Sequence, residues 1–233
     1  MQRAAELTPN ALPVYRSPEG MVEVLQPSYP VYCVRTAKIR EVAKIFLRGF
    51  PGDVLYAVKC NSEPHMLQEL YQAGVRHFDT ASLPEIALVS EMFSDGQTYF
   101  MHPVKSRAAI SSAYRDYGVR YYVVDHPSEL EKISELIPAD PEVVIVVRIA
   151  VQNSGAVYEL SSKFGASVHM AVDLAKSAIR RGYSYGFAFH IGSQCLDPGG
   201  YGVGLELVQE ALENLNQPPV CVDVGGGFPA DYM

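Results

Sequence analysis

From residue 53 onward, short runs rich in β-branched and aromatic residues alternate with segments whose apolar positions recur every three or four residues. That alternation is the mark of repeated strand–helix units around a parallel sheet. The runs at 54–58, 77–80, 98–102, 121–125, 143–149, 186–191 and 220–224 are mostly near-continuously apolar, as strands buried on both faces should be. Helices are predicted between them at 64–73, 84–91, 106–117, 128–136, 168–181 and 201–215. Pro64 and Pro84 suit a first helical turn, and Ser128 followed by Glu131 has the spacing of a capping box. Upstream, residues 30–34 read as one more strand and 36–48 as a helix ending at Gly49.

Periodicity alone does not separate an open doubly wound sheet from a closed barrel. The polar positions favour the barrel. Lys59, Asp79, His102, Asp125, Arg148 and His190 each fall at or just past the carboxyl end of a different strand, where a barrel gathers its chemistry on one face. Only seven strands follow residue 53, so either the 30–34 strand closes the ring or the chain is a fragment of a longer protein.

Composition narrows the function. Nineteen Lys and Arg against 26 Asp and Glu give a net charge of −7 with no basic run, which argues against a nucleic-acid partner. There is no apolar leader in the first ten residues and no later stretch suited to a membrane span, so a cytoplasmic protein is expected. Cys33, Cys60, Cys195 and Cys221 are widely spaced, and the six histidines are scattered, so neither a disulfide framework nor a metal site is expected.

Three motifs carry candidate chemistry. Tyr56-Ala57-Val58-Lys59-Cys60-Asn61 delivers a lysine at the end of an apolar strand. A desolvated amine there loses proton affinity and becomes a nucleophile toward aldehydes, although a lysine snorkelling to solvent is the ordinary alternative. Phe189-His190-Ile191-Gly192-Ser193-Gln194 ends a strand with an imidazole able to stack on a flat cofactor and a hydroxyl able to donate to a phosphate; a hydrogen-bonded core histidine is the alternative. In Asp223-Val224-Gly225-Gly226-Gly227-Phe228-Pro229, three glycines after a strand suit a phosphate-binding concavity, against the alternative of a tight structural turn. Asp79, with Glu85 opening the next helix, and Arg148 could complete such a site or be ordinary ion-pair partners.

Together with His102-Pro103-Val104-Lys105 and Ser162-Lys163-Phe164-Gly165, these segments resemble the fold-type III decarboxylases that use pyridoxal 5'-phosphate (PLP), the family of ornithine, diaminopimelate and biosynthetic arginine decarboxylases. The ordered match covers about residues 30 to 233. It implies an α/β fold, a TIM-type (β/α)8 barrel of the alanine racemase-like kind. Lys59 would bind PLP as a Schiff base, and His190 would stack on the ring; these two are the expected catalytic residues. Ser193, Gly225, Gly226 and Gly227 would bind the phosphate, and Asp79 and Arg148 would belong to the inner cofactor shell. Lys-Cys-Asn after the strand and Gly-Gly-Gly-Phe-Pro near the end look like the ornithine decarboxylase branch, so L-ornithine is the expected substrate, with lysine or diaminopimelate as alternatives.

The family also has a Glu-Pro-Gly-Arg strand, whose glutamate partners the pyridinium nitrogen, and a C-terminal β-domain that completes a dimer partner's site. Neither occurs in this sequence. The expectation is therefore a truncated barrel over 36–233, an extension at 1–35 that would pair with the β-domain, a homodimeric full-length parent, and little or no turnover by this chain alone. Two other readings of the same resemblance are a regulatory homologue of the antizyme-inhibitor kind and a PLP racemase or cofactor-carrier relative.

Overall fold

The computed structural model describes residues 13–151, 156–158 and 163–230. Residues 1–12 of the expected extension and Ser162 lie outside the described residues. The chain divides into two compact units, one made of residues up to Tyr56 together with Cys60–Arg76, the other of Ala57–Lys59 and His77 onward.

Among the described residues, the first unit contains three helices, α1 (Pro18–Leu25), α2 (Thr36–Gly49) and α3 (Pro64–Ala73). Ser17 starts α1, its hydroxyl accepting from Gly20 N at 3.1 Å, with Pro18 preset for the first turn. Arg40 of α2 forms an ion pair with Glu69 of α3. Gly74, at φ 118°, closes α3 in the left-handed conformation that a side chain resists. Residues 30–34 were expected to form a strand but adopt no regular structure, with Tyr32 95% exposed. Their apolar run has no partner strand to pair with among the described residues, and an unpaired strand is not stable.

The sheet contains β1 (Leu55–Ala57), β2 (His77–Thr80), β3 (Gln97–Phe100), β4 (Tyr121–Val124), β5 (Val144–Ile149), β7 (Ser184–Phe189) and β9 (Val222–Asp223), in the order β1-β2-β3-β4-β5-β7-β9. From β2 to β9 every pairing is parallel. The crossovers are the helices α4 (Leu83–Met92), α5 (Arg107–Arg115), α6 (Pro127–Leu136), α7 (Val168–Arg180) and α8 (Gly199–Leu212). The strand order follows the sequence, as in an incomplete (β/α)8 barrel. A separate antiparallel ribbon pairs β6 (Ala156–Tyr158) with β8 (Ser193–Cys195).

Alternation along each strand sorts side chains to two faces. Tyr122, Val124, Ile145, Val147, Ile149, Tyr185, Phe187 and Phe189 pack under the helices with Ile86, Ile110, Ile133 and Leu174. Each fully buried side chain of this size contributes about 1.5–3 kcal/mol. On the opposite face Val123, Val144, Val146 and Ala188 form a second cluster with Tyr121 and Cys221. In β5 Arg148 is the one residue not fully buried, and it falls on this second face near the carboxyl end. Helix α6 departs from its expected start. His126, not Ser128, is its N-cap, with Nδ1 accepting from Ser128 N at 3.2 Å, because Pro127 is already preset for the first turn.

Glu129 and Lys105 form a buried charge cluster between α6 and the loop after β3. Lys105 Nζ donates to Val123 O at 2.6 Å and His102 O at 3.0 Å and pairs with Glu129 Oε1 at 3.1 Å, which exhausts its three protons. Lys132 pairs with the other carboxylate oxygen at 2.6 Å. Of the thiols, Cys195 is buried, Cys221 is half-buried against Gly186, and Cys33 and Cys60 are exposed.

Candidate cofactor site

Lys59 is the middle residue of a 3-10 turn (Val58–Cys60) that follows β1 directly, and its Nζ stands 3.6 Å from Asp79 Oδ2 near the end of β2. The expected desolvation of this amine is not met: its side chain is 55% exposed, since the turn carries it past the strand end. Asp79 is the buried member of the pair. Its Oδ1 accepts no hydrogen bond among the described residues. Burial pushes the carboxyl above the ordinary carboxylate range, while Lys59 opposes that rise and Asp223 and Glu85 add to it. Glu85 itself accepts from Ala81 N at 2.7 Å and so caps the turn into α4.

His190 leaves the end of β7 half-buried. Its Nδ1 accepts from Gly192 N at 2.9 Å. That bond assigns the proton of the neutral ring to Nε2. Burial, reinforced by the charges of Arg148 and Lys59, pulls its pKa down to about 4. At neutral pH the site therefore presents an uncharged imidazole.

The triple-glycine bend lies against this histidine. A Cβ on Gly225 would stand 2.3 Å from Phe189 O, and one on Gly227 2.5 Å from Gly192 O, so both positions exclude any side chain. Both also have positive φ, 70° and 97°. Gly226 differs, because its nearest neighbour would be His190 Nε2 at 3.5 Å, an ordinary contact. Gly225 N donates to Asp223 Oδ1 at 2.8 Å, so Gly225 shapes the bend rather than offering a donor. The N–H groups of Gly226 and Gly227 donate to no other described residue. Tyr201 of α8 donates to Gly226 O at 3.1 Å, and its ring stacks on Phe228. Gln194 clasps Ala230 through two reciprocal 2.8 Å bonds, which fixes the chain beyond the bend. Ser193 is exposed at the start of β8, one residue past the Gly192 carbonyl that faces Gly227.

Arg148 completes the ring of charges. Burial pulls its pKa down, and Asp125, Asp223 and Asp79 push it back. Its guanidinium lies 5.5 Å from the centroid of the Phe164 ring, on which His102 packs edge-on. Asp125 Oδ2 accepts from Gly165 N at 3.0 Å, and Gly165, at φ 111°, sits where a Cβ would meet Ala150 N at 2.6 Å. That turn brings Phe164 to the arginine.

Lys59, Asp79, Arg148, His190 and the glycine bend thus gather at the carboxyl ends of the strands. Sequence reasoning placed Asp125 on the same face without a specific role and gave Asp223 none. The signal for Asp223 was available in an aspartate two residues before a glycine, the spacing of an Asx turn. The groups present fit a flat, phosphorylated aldehyde: an accessible amine, a neutral ring face, the Gly226 and Gly227 amides, which donate to no described residue, in a bend where Gly225 and Gly227 admit no side chain, and a buried carboxylate oxygen with no donor among the described residues.

The pyridoxal binding domain of the pyridoxal-dependent decarboxylases matches residues 36–233. The chain belongs to that family. It is 38% identical to a lysine/ornithine decarboxylase of Selenomonas ruminantium over 198 residues, covering 82% of this chain and 49% of that protein. It is 34% identical to antizyme inhibitor 2 of Homo sapiens over 179 residues, 75% of this chain and 38% of that protein. The crystal structure of the Selenomonas ruminantium lysine decarboxylase superimposes with a TM-score of 0.80 at 32% identity, covering 93% of this chain and 57% of that one. The chain spans about half the length of the curated relatives it matches.

Proposed function

We propose that this chain is the cofactor-binding part of an enzyme that decarboxylates a basic amino acid, with L-ornithine as substrate and putrescine and carbon dioxide as products. In that reaction the α-carbon takes a proton in place of the departing carboxyl group. Pyridoxal phosphate, when bound, supplies the aldehyde that captures the substrate amine and the ring that accepts the electron pair left behind.

The observation that carries this reading is the convergence of Lys59 with Asp79 on one side and neutral His190 with the glycine bend on the other. Lys59 would hold the cofactor covalently through its amine. Asp79 orients that amine. His190 would offer the cofactor ring an uncharged imidazole face. Gly226, Gly227 and Ser193 would hold the phosphate, and Arg148 would set the charge of the floor. Ornithine is favoured by the Lys59-Cys60-Asn61 and Gly225-to-Pro229 motifs, and lysine is the second candidate because the Selenomonas relative is named for both. The same reading makes the full-length protein a cytoplasmic homodimer.

Borohydride reduction after incubation with pyridoxal phosphate tests the reading. Peptide mapping should find the label on Lys59, and a label spread over surface lysines would defeat it. Carbon dioxide release from ornithine, lysine and arginine by the full-length protein ranks the substrates. The likeness to antizyme inhibitor 2 favours a second, non-enzymatic reading, which predicts no release from any of them.

A further inference from the structure

Asp223 stands at the junction of the two halves of the site. On β9 it is paired with Ala188 of β7, which is paired in turn with Arg148 of β5. The three residues therefore form one rung, with arginine and aspartate on either side of an alanine. Cα atoms two strands apart are about 9.5 Å distant. A long guanidinium can lean across that gap only because the intervening side chain is a methyl group.

The Asp223 carboxylate has two relationships at once. Its Oδ1 accepts from Gly225 N at 2.8 Å, closing the Asx turn that sets Gly225 at φ 70° and so starts the bend. Its charge also acts on Arg148, Asp79 and Lys59. The residue as a whole is half-buried because β9 lies at the edge of the sheet, but desolvation is the largest influence on the carboxylate itself.

We propose that Asp223 is a positioning residue that couples the shape of the phosphate-receiving bend to the negative charge opposite the anchor lysine. The proposal rests on the cofactor reading above and adds to it a residue that neither touches the proposed reaction nor was assigned to it. A merely structural aspartate would hold the bend and nothing more.

Asp223→Asn and Asp223→Ala separate the two roles, because asparagine retains an acceptor oxygen for Gly225 N and lacks the charge. Both would be titrated with pyridoxal phosphate, and the absorbance of the reducible Lys59 adduct followed against pH. Asp79, Glu85, Asp125, Arg148 and His190 face the same region and are unchanged in either variant. For Asp223→Asn we expect affinity within about threefold of the parent, with the adduct losing its proton about one pH unit lower, tenfold in that equilibrium. For Asp223→Ala we expect the same displacement together with affinity at least about tenfold weaker, the loss of about one charge-assisted hydrogen bond. An unchanged pH profile in Asp223→Asn overturns the coupling even if Asp223→Ala fails to fold. Should the parent itself form no adduct at Lys59, the cofactor reading fails first, and the two failures are thereby distinct.

Discussion

Lys59 Nζ and Asp79 Oδ2 stand 3.6 Å apart, yet the two groups live in different surroundings, the amine half in solvent and the carboxylate largely out of it. The carboxylate therefore bears the desolvation cost, visible in its raised pKa and in an Oδ1 without a hydrogen-bond donor among the described residues. A group kept at such a cost is a candidate for function over stability.

Replacing that residue should expose the trade. Asp79→Asn removes a buried charge at a site where half the carboxylate is unsatisfied. Stability should be unchanged or higher by up to about 1 kcal/mol, while the yield of adduct at Lys59 falls severalfold. Urea unfolding beside borohydride trapping checks both, and a large destabilisation would mean the carboxylate is structural.

The three glycines should respond differently to alanine. Gly225→Ala and Gly227→Ala meet backbone carbonyls at 2.3 and 2.5 Å in left-handed conformations, and should lose more than the roughly 1–2 kcal/mol that such a conformation alone costs. Gly226→Ala finds only His190 Nε2 at 3.5 Å, so it should fold like the parent while its methyl obstructs the ligand face. Thermal unfolding and cofactor titration of all three variants distinguish the positions.

Histidine 190 gives an acid-side signature. Its pKa in the fold is about 4 against an ordinary 6.5, so between those values the unfolded chain binds more protons and stability falls as the solution is acidified. The contribution is fully present above pH 6.5 and is lost as pH falls through about 4. His190→Asn places an amide oxygen where Nδ1 accepts from Gly192 and cannot titrate. Relative to this variant the parent should lose at most about 3 kcal/mol between pH 7 and pH 4, less what solvent screening removes. Parallel acid-denaturation curves for the two proteins would contradict the assignment.

Lys105 gives a dependence of the same sign at alkaline pH. Burial pulls its pKa down to about 8 from 10.5, with Glu129 opposing, so the unfolded chain again binds more protons between those values and stability rises with pH across them. Lys105→Met leaves the Val123 and His102 carbonyls without their donor and Glu129 with Lys132 alone, a loss of about 3 kcal/mol at neutral pH. The gap between parent and variant should widen from pH 7 to pH 9.5. Denaturant midpoints at the two pH values are the measurement.

The barrel was legible because its strands are buried on both faces, which writes continuous apolar runs into the sequence, and because a break such as Arg148 in β5 then stands out. Residues 30–34 misled for the opposite reason. Their apolar, β-branched and aromatic character is real, but a strand needs a neighbour, and that depends on chain far away in sequence. Helix α1 was missed because eight residues around Met21 carry too little periodicity, and β8 because Ser193-Gln194-Cys195 has no apolar face to display. The positions of Lys59, His190 and the glycines could be read, but the exposure of the Lys59 amine could not. Whether a side chain is dry depends on the whole fold and not on the run that precedes it.

The four thiols divide the molecule for anyone who wishes to attach something to it. Burial and the nearby Asp223 push the Cys221 thiol up to about 11, and Cys195 is enclosed, so neither offers a reactive thiolate under mild conditions. Cys33 and Cys60 are open to solvent. A fluorophore or spin label on Cys60, with Cys33 replaced by serine, would sit one residue from the anchor lysine and report ligand arrival there without disturbing the sheet.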